Sequence, residues 1–524
     1  MNYLVQFIHR VLQPFGVFMQ EEGGGLLLPE LMLILFALAI LATDYMLEAR
    51  DKFFNVLMAL LGVMFSGWCL WQLRGVADNS PFGFSNSLVI DPFFLFFGFI
   101  FLIATALVII LSARYMEIED ENHGEYYVLI LFATVGMMFM VSGYDLVVEF
   151  LGLETMALSF YVLAGFLRRD KRSNEGAVKY LLLGAFSSGI LAYGFSILYG
   201  IGAMANLSSL GQAVLPPRTN LDVIAVAVEA RGHTDLFVLL ALATVAAGLF
   251  FKVAAVPFHQ WAPDVYEGSP TPITAYISVA SKTASFALLL RLLLTVFWPV
   301  RLDWEMLIAG VALASLTLGN FAALTQTNVK RMLAYSSISH VGYILLGIVA
   351  AASSPLGFIT GMKGVAFYLF VYGFMTIGAF AVLIVMQRQG IVSDELDDLN
   401  GLYRRSPLSA LMLLIFMLSL AGIPPLAGFL GKYFILQSLI DTGHVHLALF
   451  GALYIVPALY YYFRIVAHAY LYEPGNAPSP VITIGQKFAF AVLCFVTIAA
   501  GVYPEPFVRL ATYSLFFPAG FSGH

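Results

Sequence analysis

Charge is what this 524-residue chain has least of. Asp, Glu, Lys and Arg together make 11% of it, against 60% hydrophobic residues and a mean hydropathy of +0.87. That is too little polar surface to coat a globule in water, so a soluble fold is excluded and the solvent has to be a bilayer. Cysteine is almost absent as well. Cys69 and Cys494 both lie in apolar stretches, with no CxxC pair and no His/Cys cluster. This excludes a disulfide framework and leaves no ligand set for an iron–sulfur or zinc centre. No GxGxxG or phosphate-loop pattern occurs, so nucleotide chemistry belongs elsewhere. The net charge of −6 is spread over the loops, with no basic patch for nucleic acid.

Long apolar runs, by contrast, fill nearly the whole chain. Windows of roughly 17–25 residues, enough to cross about 30 Å of hydrocarbon as a helix, begin near residues 26, 54, 92, 126, 146, 175, 236, 271, 305, 332, 364, 408, 447 and 486. The pattern predicts an all-α polytopic membrane protein with about fourteen transmembrane helices in one membrane domain, 1–524. Helices of an N-terminal group fall in 26–112, and a last helix and tail in 486–524. Basic residues set the orientation. Arg50, Lys52, Arg114, the cluster Arg168, Arg169, Lys171 and Arg172, then Lys330, Arg331, Arg388, Arg404 and Arg405 all follow odd-numbered spans. The positive-inside bias then puts those loops in the cytoplasm and both termini outside. Met1–Gly25 is only mildly apolar and runs straight into a full span, which argues against a cleavable signal peptide. Leu4–Met19 reads as a short amphipathic surface helix, and Gly202–Asp235 as the largest outer loop.

Two of the spans are interrupted. In Leu236–Trp261, Pro257 stands between Lys252 and His259; in Leu408–Ile440, the run Gly422-Ile423-Pro424-Pro425 precedes Lys432. Proline removes a backbone donor and frees carbonyls, which in lipid must find protein or water. Both segments therefore read as discontinuous helices, the seventh and twelfth, lining a hydrated cavity. An offset of five is odd, so equivalent helices would run in opposite directions, which is the topology of an inverted repeat. Two inverted five-helix repeats, 126–297 and 305–472, are the expected core.

Ionisable groups inside these spans carry the functional signal, because a charge in hydrocarbon costs several kcal/mol unless paired or hydrated. Lys252, Lys282 and Lys432, with Glu154 and His340, fall at mid-depth. Ser278, Ser281, Thr283 and Ser285 flank Lys282, and Ser336, Ser337 and Ser339 precede His340. A row of titratable side chains at one level suits proton relay, since burial and a movable carboxylate push a lysine's proton affinity in opposite directions. Each has a structural alternative. Glu154 can pair with a neighbouring helix, His340 can be a core imidazole bonded to a serine, and His259 can be an interfacial residue. Lys179, four residues after Glu175, is explained as well by a surface i,i+4 pair. Arg291 and Lys363 can reach headgroups from the ends of their spans, and His468 has no context.

At these residues the chain resembles the antiporter-like membrane subunits of respiratory complex I. The resemblance rests on Gly152-Leu153-Glu154, on Ser173–Tyr180 around Lys179, on Phe251-Lys252 with Val256–Gly268, on Lys330–Ile338, and on Gly422-Ile423-Pro424-Pro425 before Lys432. It covers roughly residues 90–470. It implies that Glu154 and Lys252 form a pair whose separation tunes the lysine, that Lys282 connects, that Lys432 exchanges with the far half-channel, and that His259 and His340 bridge through water. Lys179 would be conducting or structural. It implies no cofactor in this chain, with NADH, FMN, iron–sulfur clusters and quinone held by partner subunits. Other membrane-arm subunits and lipid would surround it in a bacterial inner membrane. A Mrp-type Na+/H+ antiporter subunit shares the same pattern, as does the ferredoxin-linked photosynthetic form of the complex. A free-standing solute transporter would need a pocket of varied polarity, and none is visible.

Overall fold

Backbone in hydrocarbon must satisfy its own hydrogen bonds, so each apolar run closes into helix. The computed structural model describes residues 24–48, 51–77, 82–84, 86–204, 219–387, 394–474 and 479–515. The expected Leu4–Met19 helix, Arg50, Arg388 and the tail beyond 515 lie outside the described residues. Single turns aside, the helices are α1 Leu28–Asp44, α2 Phe53–Gln72, α3 Pro92–Ile118, α4 Gly124–Ser142, α5 Leu146–Ala164, α6 Lys171–Ala203, α7 Leu221–Arg231, α8 Leu236–Val253, α9 Trp261–Gly268 and α10 Thr271–Thr295. They continue as α11 Arg301–Leu324, α12 Val329–Ser353, α13 Pro355–Met386, α14 Pro407–Ala421, α15 Ala427–Asp441, α16 Val445–Leu471, α17 Ile484–Val502 and α18 Glu505–Tyr513. Thirteen helical stretches among the described residues are long and apolar enough to span a membrane. The twelfth expected span is not one of them, because it is divided between α14 and α15.

Short polar side chains start the helices where the sequence leaves a hydrophobic run. Asp145, Asp170 and Asp235 accept from the first free amides of α5, α6 and α8, which satisfies donors that have no partner within the helix. The segment expected as a plain outer loop instead contains α7. Leu221, Ile224 and Val228 repeat at helical spacing and are buried, a pattern masked by the mixed composition around it.

Depth within the bundle differs sharply between helices. The most apolar window of α10 is 100% buried and those of α12 and α13 94%, whereas α1 reaches 33% and α16 28%. The core is therefore built around α10, α12 and α13, with α3 and α4 also largely covered, and the outer helices expose side chains such as Leu35, Trp68, Phe186 and Phe495. Several helix pairs cross at very short range, two of them beside an ionisable residue. A Cβ on Gly152 of α5 would lie 2.8 Å from the Met140 amide of α4, and one on Gly319 of α11 would lie 2.6 Å from the Ser339 amide of α12. Only glycine permits these approaches, and each sets the position of an ionisable neighbour, Glu154 or His340.

Both expected breaks are present. α8 ends at Ala254 in the left-handed region (φ 62°) and α14 at Gly422 (φ 90°), and each break contains a cis proline peptide, Val256–Pro257 and Pro424–Pro425.

Candidate functional site

Lys252, Lys282 and Lys432 are only 4%, 2% and 3% exposed, and no carboxylate forms an ion pair with any of them among the described residues. Each is held by neutral groups. Lys252, at the last turn of α8, donates to Ser188 Oγ of α6 at 3.1 Å and to the Tyr161 hydroxyl of α5 at 3.3 Å. Lys282 lies near the middle of α10, directly after a π-helical turn, Ile277–Ser281, a device that recurs at functional sites. It donates to Ser337 Oγ of α12 at 2.7 Å. The serines on its own helix do not serve it: Ser278 and Ser285 bond back to Ala275 and Ser281 carbonyls. Lys432, in the second turn of α15, reaches across the break to the Leu420 and Ala421 carbonyls at 3.0 and 2.9 Å. Those carbonyls end α14 and have no amide ahead of them to accept from. An aromatic face stands by each ammonium: Tyr161 at 5.8 Å, Tyr266 at 5.4 Å and Tyr343 at 5.2 Å.

The groups between the lysines are hydroxyls and rings. His340, near the middle of α12, is hydrogen-bonded through Nδ1 to the Tyr368 hydroxyl at 2.6 Å and through Nε2 to the Tyr462 hydroxyl at 3.0 Å, donating in one and accepting in the other when neutral, and Tyr462 also meets Ser336. Tyr368 packs on Gly431, next to Lys432, and lies beside Tyr343, with ring centres 6.4 Å apart. On the other side, ring contacts run Tyr161–Tyr180 at 4.8 Å, Tyr180–Trp261 at 4.7 Å and Trp261–Tyr266 at 6.4 Å, ending at the ring beside Lys282. The sequence pointed to the lysines, His340 and its serines. It did not single out Tyr161, Tyr368 or Tyr462, because tyrosine in an apolar span carries no periodic signal.

The remaining expected site residues sit differently. Glu154, near the middle of α5, is half-buried, and its Oε1 is buried without a hydrogen-bond partner. The expected Glu154–Lys252 ion pair is not formed, since the lysine is already held by two hydroxyls. His259 lies in the break itself, half-buried, with Nδ1 buried and unpartnered. Lys179 does not join the lysine row. Its side chain is 42% exposed and pairs with both Glu175 and Asp264 at 2.7 Å. Arg331 meets Asp264 and Glu267 at 2.8 Å, and Arg172 lies 3.8 Å from Glu267, so these charges make one rim network.

Two basic residues read from sequence as surface groups prove to be interior. Lys330, expected in a loop, is 3% exposed, donates to the Ser269 carbonyl at 2.8 Å and lies 3.7 Å from Asp394. Burial pushes the Asp394 carboxyl above its ordinary range, with the Lys330 charge opposing. A cavity of about 500 Å³ opens above them, lined by Glu119, Glu121, Arg172 and Glu267 among others. Arg291, expected to reach headgroups, is 1% exposed and forks onto Asp91 at 2.6 and 3.2 Å, with the Val141 carbonyl at 2.7 Å. Asp91 also caps α3, so an acidic partner was available one helix away and outweighed the route to water. Glu30 and Glu149, which the sequence reading passed over, are buried with both carboxyl oxygens unpartnered. Among the described residues no group of three or more His, Cys, Asp or Glu is placed to hold a metal ion.

Residues 143–456 match the family described as NADH:quinone oxidoreductase/Mrp antiporter, TM. The chain is also 50% identical to NADH-quinone oxidoreductase subunit N 2 of Solibacter usitatus over 96% of its length and 99% of that protein's. The chain belongs to the NADH-quinone oxidoreductase subunit N family. A structure of respiratory complex I from Thermus thermophilus with bound aureothin contains a chain that superposes with a TM-score of 0.75 at 29% identity, covering 92% of this chain and 99% of that one. A chain of the Mrp complex from Dietzia sp. reaches 0.77 at 20% identity, covering 93% and 96%. The likeness to the Mrp chain, at 20% identity, is one of fold.

Proposed function

We propose that this chain is a proton-translocating membrane-arm subunit of a complex I type NADH-quinone oxidoreductase. One observation carries the reading: three lysines buried inside the helix bundle have neutral partners only among the described residues, and hydroxyls and aromatic rings run from one to the next. A buried cation that must stay charged keeps an acid beside it, as Arg291 keeps Asp91. A buried lysine facing hydroxyls and carbonyls can be charged or neutral, and so can accept a proton and pass it on. In this reading Lys252, Lys282 and Lys432 are the stations. Glu154 is the carboxylate whose distance from Lys252 biases its loading, and His259 and His340 bridge through water. Lys179 is a rim residue whose pair with Asp264 fixes α6 against α9.

Residues 126–297 and 305–472 are read as two inverted repeats, supported by the paired glycine crossings and by the left-handed turn at each break. The relatives' names support a respiratory setting. NADH, FMN, iron–sulfur clusters and quinone would sit in partner subunits, with homologous antiporter-like and small membrane subunits alongside. Quinone reduction there would drive the relay here. The chain would lie in a bacterial inner membrane with both termini on the periplasmic side.

The test is Lys252→Ala and Lys432→Ala in the intact complex in membrane vesicles, measuring protons moved per NADH oxidised. Both variants should lower that ratio, and wild-type stoichiometry in both would remove the relay assignment. Purification with flavin and iron–sulfur subunits is the expected outcome; purification with small membrane subunits alone would favour the antiporter instead.

A further inference from the structure

An apolar furrow follows α3 along its contact with α13. Its wide end is a cavity of about 420 Å³ whose rim includes Trp71, Arg74 and Tyr513. Through Ile100, Ile103 and Phe370, which line both parts, it continues as a narrower groove past Leu107 to Val279. One charged group interrupts the apolar lining. Arg74 is exposed, its guanidinium lies 4.2 Å over the Trp71 ring, and it has no acidic partner among the described residues. Trp71 and Tyr513 are 56% and 42% exposed, amphipathic rings of the kind that settle at headgroup level. From Leu95 to Leu107 the furrow follows twelve residues of helix, about 18 Å at 1.5 Å per residue, which is slightly more than half of a hydrocarbon core about 30 Å thick.

We propose that this furrow binds an anionic phospholipid, with the phosphodiester on Arg74 and one acyl chain lying between α3 and α13, its end against Val279. Two features favour that occupant. The mouth offers a cation stacked on an indole and without an acidic partner among the described residues, which attracts a headgroup of net negative charge more than a zwitterion. Beyond Phe370 the groove encloses only about 10 Å³, so an occupant lies along it as a shallow track, which suits one flexible, unbranched chain. Val279 belongs to the π turn directly before Lys282, so the bound chain would fill space beside the irregular segment that presents this lysine. The site stands on its own geometry and does not depend on the relay.

The test uses the intact complex in proteoliposomes containing trace phosphatidylglycerol or phosphatidylcholine with a photoactivatable group at the acyl end, followed by peptide mapping of adducts. Phosphatidylglycerol should label peptides of α3 and α13 about fivefold more than phosphatidylcholine, the scale of one basic residue's attraction to an anionic surface. Arg74→Gln should bring that ratio close to unity, and Ile103→Trp, which fills the groove from its lipid-facing side, should remove labelling by both. Three results would each overturn the proposal: equal labelling by the two lipids in the wild type, a ratio unaffected by Arg74→Gln, or no furrow adducts because a neighbouring subunit occupies it.

Discussion

The row of lysines and the ion-paired groups around it meet the same problem, a cation away from bulk water, with opposite solutions. Arg291 and Lys330 are as buried as Lys282, yet each has an aspartate. Arg331 and Lys179 share Asp264 at a partly exposed rim. Where an acid stands beside a base, the charge is fixed and the pair joins helices. Where only hydroxyls, carbonyls and ring faces stand beside it, the charge is free to come and go. Paired positions should therefore govern stability, and unpaired ones transport.

Five substitutions, in four tests, probe that division. Arg291→Met leaves Asp91 buried without its partner and should lower stability by about 3–5 kcal/mol, read as lost assembly or faster thermal inactivation. Adding Asp91→Asn, which keeps the cap on α3 but removes the charge, should recover most of the loss. Lys282→Met should leave assembly intact while coupled proton transfer falls about tenfold or more, equivalent to roughly 1.4 kcal/mol on the limiting barrier. If that variant assembles poorly and pumps normally, the division fails. Tyr368→Phe removes one hydroxyl from His340 and should slow transfer several-fold, on the scale of one hydrogen bond at about 0.5–1.5 kcal/mol, with quinone reduction by an uncoupled complex unchanged. Lys179→Ala should change the proton-to-electron ratio by less than about twofold and stability by no more than about 1 kcal/mol, as expected of exposed pairs. A large loss of pumping there would move Lys179 into the row.

Hydropathy made the helices legible, because span length and apolar run are the same physical quantity in a bilayer. The breaks were legible for a related reason: Pro257 and Pro424-Pro425 cannot continue a helix, and lysine beside them has no ordinary place in lipid. Partners were not legible. Arg291 looked able to reach water because its distance along one helix was visible, whereas Asp91, two hundred residues away, was not. Lys330 failed in the same way, its neighbours Ser269 and Asp394 coming from other elements. Glu154 stands near the middle of its helix and was given a partner with which it forms no ion pair, since sequence shows which charges exist but not which hydroxyls arrive first. The different sides on which the lysines stand were legible too: Lys252 precedes its break on α8 and Lys432 follows its own on α15.

Lys432 has a further property that can be counted. An ammonium offers three N–H groups and a neutral amine two, and the carbonyls of Leu420 and Ala421 use two. The third hydrogen is the one available to leave, and its departure breaks neither bond to the end of α14. The side chain can alternate between its two protonation states without swinging and without uncapping the helix it closes. In the proposed relay, the gate at this point would then lie in the groups that approach the third hydrogen and not in a movement of the lysine.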